Sequence, residues 1–194
     1  MNTPKKRPHK GLVAALCVLL VLCALFAGDG ARALGRFAYP QRYSEYVTYY
    51  AQKYEIDPNI VYSIIRTESG FDPAAQSDAG ARGLMQMTED TFDWVKTKIA
   101  PTEAVGFDDL YDPETSVRFG TYLLAVCLAR YGGDLSTAAA AYHSGIGQVD
   151  ALLEDARYSS DGQTLFSFPY RQMNHYVNKV NASYQRYCSL YGEP

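Results

Sequence analysis

Two of the three Asp-Pro steps, Asp57-Pro58 and Asp112-Pro113, constrain the fold of this chain more than any other feature. Asp accepts hydrogen bonds from the free N–H groups at a helix start. Proline fits the first helical position, where its missing N–H costs nothing. Each step therefore opens a helix. The first runs over 58–69 and stops at Gly70; the second runs to Tyr131 and is closed by Gly132-Gly133. Apolar periodicity adds a helix over Ser44–Tyr54 and another over Glu89–Ile99. Asp134 caps a further helix, Leu135–Tyr142, in which Ala138–Ala141 allow close backbone packing before Gly145 and Gly147 interrupt it. The last helix covers about 170–191, with Met173, Val177, Val180, Tyr184, Tyr187 and Tyr191 along one stripe. Residues 71–87 show little period and read as a loop with room for short strands. The class is mostly α, or α+β with a very small sheet, and 194 residues suffice for one globular domain.

The N-terminus differs from the rest. Lys5, Lys6, Arg7 and Lys10 precede Leu12–Ala27, sixteen residues without a charge. Basic residues before an apolar run hold the N-terminus inside and send the following chain across the membrane. Two fates fit: a cleaved signal peptide, with Ala31-Arg32-Ala33 as the A-x-A site, or a short uncleaved membrane anchor. Gly28–Gln41 reads as a linker. Residues 1–35 thus form the basic tip, the apolar segment and most of the linker; residues 36–194 form the domain, outside the cytoplasm under either fate.

Five of the 18 basic residues but one of the 21 acidic residues lie in 1–35, so the domain carries a net charge of about −7. An acidic domain is a poor match for phosphate backbones, and no nucleic-acid partner is expected. Cys127 and Cys188 are the two cysteines beyond the apolar run; a disulfide and two small buried side chains are both open readings. There is no CxxC, no His/Cys cluster and no nucleotide or flavin motif, so neither metal nor cofactor is expected.

In the helix 58–69, Ile60, Ile64 and Glu68 are spaced by four and share a face flanked by Val61 and Ile65. A carboxyl on an apolar face at a helix C-terminus is pushed toward its neutral form, by desolvation and by the helix dipole. Such a group can donate a proton near neutral pH. It can equally pair with a buried Arg or tilt into solvent, and the helix alone does not choose.

Further along stand Glu68-Ser69-Gly70-Phe71, Ser77, Gly80-Ala81-Arg82-Gly83-Leu84-Met85-Gln86, Ala141-Tyr142-His143-Ser144-Gly145, and Pro169 with Asn174-His175-Tyr176-Val177. Their order and spacing over residues 43–190 resemble the catalytic domain of soluble-lytic-transglycosylase-type enzymes. The resemblance implies a lysozyme-like fold and cleavage of the β-1,4 bond between N-acetylmuramic acid and N-acetylglucosamine in peptidoglycan glycan strands, leaving 1,6-anhydro ends; a monomer is expected. It places the catalytic acid/base at Glu68 and cleft residues at Ser77, Gln86, Tyr142 and Tyr176; Met85 in the same turn and His143 beside Tyr142 are further expected substrate contacts, His143 without a role carried over from the family. Taken singly, Ser77 is an ordinary turn residue, Met85 a core filler, and Tyr142 and Tyr176 members of a set of 17 tyrosines.

The sequence departs from the family pattern at His143-Ser144, at Met87-Thr88 and at Gln172-Met173, where Asn-Ala, a hydrophobic residue with Met and Pro, and Glu-Thr are more usual. The matched clusters hold one carboxylate, Glu68, whereas most glycosidases use two. A single carboxylate calls for a nucleophile inside the substrate. Asp72 and Asp78 are the acids near Glu68 that a hydrolase of the same fold would need, and a non-catalytic wall-binding scaffold is the third reading.

Overall fold

The computed structural model describes residues 30–192. The chain divides into two compact units, Met1–Pro40 and Gln41–Pro194. In the first unit residues 30–38 are helical, which corrects the expectation of a linker. Ala31, Ala33, Leu34 and Ala38 are strong helix formers and outweigh Gly30 at the start and Gly35 inside. The Ala31-Arg32-Ala33 site lies inside this helix. The basic tip and the apolar run Leu12–Ala27 lie outside the described residues. Among the described residues, no helix is long and apolar enough to cross a membrane.

The second unit contains α1 (Ser44–Lys53), α2 (Pro58–Glu68), α3 (Glu89–Ile99), a 3-10 helix (Phe107–Tyr111), α4 (Pro113–Arg130), α5 (Leu135–Ser144), α6 (Ile146–Leu153) and α7 (Arg171–Tyr191). The aspartate caps form as expected. Asp57 accepts from the Asn59 N–H at 2.7 Å, Asp112 from Thr115 at 2.9 Å and Asp134 from Thr137 at 2.6 Å. The small sheet of the α+β alternative does not form among the described residues. Residues 71–87 hold only two isolated antiparallel bridges, Gln76 to Arg82 and Arg82 to Met87. Left-handed turns at Gly80 and Gly83 fold this segment too tightly for a ladder.

Two elements of this second unit have no counterpart in the sequence reading. One is the 3-10 helix. The other is α6, which starts at once after Gly145 (φ 90°). Gly147 sits in its first turn and breaks nothing, so the interruption is Gly145 alone.

The core explains the arrangement. α7 packs against both α2 and α5, and α5 packs against α4. Ala138, Ala139, Ala140 and Ala141 are all buried, so α5 is enclosed among its neighbours, as its small side chains permit. Tyr62 of α2 stacks on Tyr187 of α7 at 5.4 Å, and Phe92 of α3 on Phe119 of α4 at 4.9 Å. No disulfide joins Cys127 and Cys188. Cys127 is buried in α4, where desolvation pushes its thiol up to about 12. Cys188 lies 3.9 Å from the Asn59 amide, which donates to its Sγ.

Candidate active site

Glu68 is the last residue of α2. The chain then reverses through Gly70 (φ 60°) and Phe71 (φ 70°). The Ser69 hydroxyl donates to the Leu84 carbonyl at 2.8 Å and accepts from the Phe71 N–H at 3.2 Å. The Glu-Ser-Gly-Phe turn is thereby stapled to the Gly83-Leu84-Met85-Gln86 turn. This is the physical link between two motifs that lie apart in sequence. Ser69 and Ser116, whose Oγ accepts from the Met85 N–H at 3.2 Å, are positioning residues that the sequence reading did not single out.

Around this staple lies a cavity of about 530 Å³. Glu68, Ser77, Gln86, Tyr142 and His143 all line it. Thr91 of α3 and Leu123 of α4 complete its wall and were not foreseen, because nothing local marks them. Glu68 is the one acid in the lining; Asp72 and Asp78 are exposed and do not line it. Gln172 is exposed on the first turn of α7 and also stays outside the lining.

Glu68 is half-buried, and desolvation pushes its carboxyl up to about 7. Two effects oppose this: the Tyr176 hydroxyl donates to Glu68 Oε1 at 2.6 Å, and the Lys179 charge lies near. Burial wins. Tyr176 itself is buried in α7 behind the carboxyl rather than in the cavity wall. His143 stacks on the Tyr176 ring, 4.4 Å between centroids and nearly parallel at 12°. Partial burial lowers its pKa, which favours the neutral imidazole. The Tyr142 hydroxyl donates to the Met85 carbonyl at 2.8 Å, so it braces the turn and lines the cavity at once.

The expected substrate contacts divide accordingly. The exposed Ser77 accepts from the Ala81 N–H at 3.1 Å through its Oγ and keeps its own proton to donate. Gln86 adopts a left-handed conformation (φ 48°), and its amide nitrogen donates to the Ala75 and Gly83 carbonyls, both at 3.0 Å. What it can offer a ligand is therefore its oxygen. Met85 is corrected: it is fully buried and does not line the cavity. Its thioether fills the space left by Gly120 on α4, where even a Cβ would lie 2.5 Å from the sulfur. The turn aims alternate side chains inward and outward, so Met85 goes to the core and Gln86 to the groove.

Comparison with known proteins agrees with this arrangement. The transglycosylase SLT domain model matches residues 45–166. The soluble lytic murein transglycosylase of Salmonella typhimurium is 28% identical over 156 residues, covering 80% of this chain and 24% of that protein. The membrane-bound lytic murein transglycosylase C of Serratia proteamaculans is 28% identical over 161 residues, covering 71% of this chain and 44% of that protein. The crystal structure of the 70 kDa soluble lytic transglycosylase of Escherichia coli superposes with a TM-score of 0.73 at 26% identity, covering 81% of this chain and 26% of that one. The chain thus spans less than half the length of each of these relatives. With the stapled motifs, the cavity and the match over 45–166 in agreement, the chain belongs to the transglycosylase SLT domain family.

Proposed function

We propose that this protein is a peptidoglycan lytic transglycosylase and that Glu68 is its catalytic acid and base. The observation that carries the reading is the half-buried carboxyl of Glu68, pushed up to about 7 and alone among acids in its cavity. In its neutral form Glu68 gives its proton to the oxygen that links N-acetylmuramic acid to N-acetylglucosamine, and the bond from that oxygen to the muramic anomeric carbon breaks. The acetamido oxygen of the muramic sugar supports the positive carbon. The Glu68 carboxylate then takes the proton of the 6-hydroxyl, whose oxygen closes on the same carbon. A 1,6-anhydro ring results, Glu68 regains its proton, and no water is consumed. Hydrolysis requires a base to place a water, and the lack of any second acid in the lining weighs against it. Ser77 and the Gln86 oxygen hold the acetamido or hydroxyl groups, and Tyr176 holds Glu68. Purified cell-wall suspensions test the reading: the wild-type protein clears them and Glu68→Gln does not. Equal clearing by both contradicts it.

Tyr176→Phe tests the support of the acid. The Tyr176 hydroxyl favours the charged carboxylate. Its removal raises the Glu68 pKa further, so the alkaline limb of the pH–rate profile moves to higher pH. The lost alignment costs roughly tenfold to a hundredfold in kcat/KM. An unmoved limb contradicts the coupling.

The basic residues before Leu12–Ala27 support an anchor in the cytoplasmic membrane, with a monomeric domain from about residue 36 working on its outer side. Mass spectrometry of the mature protein tests the anchor: a chain that retains residues 12–27 supports it, and one that begins at Leu34 contradicts it.

A further inference from the structure

Leu34 and Phe37 are the most exposed large apolar side chains among the described residues, at 70% and 84%. Both stand on the helix over 30–38, three residues apart, and share a face with Ala31 and Ala38. Arg32 and Arg36 are exposed on the same helix, four apart. At 3.6 residues per turn each arginine lies roughly 160° around the axis from Leu34. Residues 30–38 contain no acid. The helix thus has an apolar face open to solvent and a cationic face behind it. The sequence just before it says what covers the apolar face. The run Leu12–Ala27 ends three residues short of Gly30. Three residues reach at most about 11 Å. The headgroup layer on each side of a bilayer core is roughly 5–7 Å deep. With the run held in a bilayer, the helix begins at that layer. Sixteen uncharged residues also fall short of the roughly 20 that a bilayer core asks for, so further apolar contact just beyond them adds hold.

We propose that the helix over 30–38 is a membrane-surface contact, which buries Leu34 and Phe37 at the boundary of headgroups and acyl chains of an anionic phospholipid bilayer and turns Arg32 and Arg36 to the lipid phosphates. The proposal rests on the reading of Leu12–Ala27 as an uncleaved anchor. Charge fits the assignment: a basic helix is drawn to an anionic surface, and the acidic domain after it is not. Nine residues alone would bind a bilayer weakly. Beside an anchored run they do not have to find the surface, because the tether keeps them there at high effective concentration. The long arginine side chains reach the phosphates while their stems stay against apolar lipid.

Trp94 is the one tryptophan, so a full chain carrying Trp94→Phe and Phe37→Trp fluoresces from position 37 alone. It is reconstituted into vesicles of phosphatidylcholine and phosphatidylglycerol that contain lipids brominated either near the headgroup or near the acyl-chain end. Flotation reports the anchor separately. The expected result is a chain that floats with the vesicles and whose emission is quenched, more by bromine near the headgroup. Adding Arg32→Gln and Arg36→Gln leaves flotation unchanged and lowers the quenching by roughly half or more. Flotation with emission unaffected by either brominated lipid overturns the surface contact and leaves the anchor standing. Blue-shifted emission without quenching also overturns it, because a second copy or the chain's own domain then covers the face. A chain that does not float overturns the anchor and the contact together.

Discussion

Replacing Glu68 by Gln is expected to lower glycan cleavage by roughly 10³-fold or more, because one side chain serves as acid and then as base. The same change is expected to stabilise the protein above neutral pH. The two effects have one cause. Burial holds the carboxyl at about 7 in the folded chain against an ordinary 4.5. The folded state therefore binds this proton more tightly than the unfolded state. The stability that follows is fully present below pH 4.5 and is lost as pH rises through 7. Above pH 7 the buried charge costs roughly 3 kcal/mol relative to acid conditions. Gln is neutral at every pH and shows no such loss. Thermal melts of both proteins at pH 5 and pH 8.5 check this. The Tm difference should widen in favour of Glu68→Gln at the higher pH. Parallel Tm curves would mean that the carboxyl is not strained by burial and is a poor candidate for a proton donor.

Gly83→Ala is expected to cost roughly 3–5 kcal/mol and to lower Tm by about 10 °C or more. Gly83 has a φ of 76°, a conformation that L side chains rarely adopt. A Cβ there would lie 2.0 Å from the Leu110 carbonyl oxygen and 2.8 Å from the Ser116 Oγ. The carbonyl is backbone within the 3-10 helix and cannot swing aside. The Gly83 N–H donates to the Ala75 carbonyl at 2.9 Å, and the same carbonyl accepts from Gln86. Displacing Gly83 therefore moves Gln86 and Met85, and through Met85 the brace to Tyr142. Chemical denaturation measures the loss. A change below about 1 kcal/mol would show that the loop yields without cost.

The helix framework is legible in the sequence because its signals are local. Asp57, Asp112 and Asp134 each satisfy N–H groups within three residues, and proline fixes the first turn after two of them. The face on which Glu68 sits follows from the four-residue spacing. The motifs name most of the cavity, but how the side chains are used within it depends on tertiary contacts. Gln86 spends its amide hydrogens on two carbonyls of its own loop. Met85, its neighbour, is drawn into the core by the gap at Gly120. The stack of His143 on Tyr176 exists only once α5 packs on α7. The helix over 30–38 is different in kind. Its glycines suggested a linker, yet helix formers dominate the stretch and no proline interrupts it.

The chemistry assigned to Glu68 is tested most directly by the mass spectrum of the product ends after digestion of purified glycan strands. With one carboxylate in the cavity and the 6-hydroxyl as internal nucleophile, every new muramic end is predicted to be the 1,6-anhydro form, lighter by one water than a reducing end. Reducing ends in its place would show that water is the nucleophile, and that a base other than Glu68 positions it.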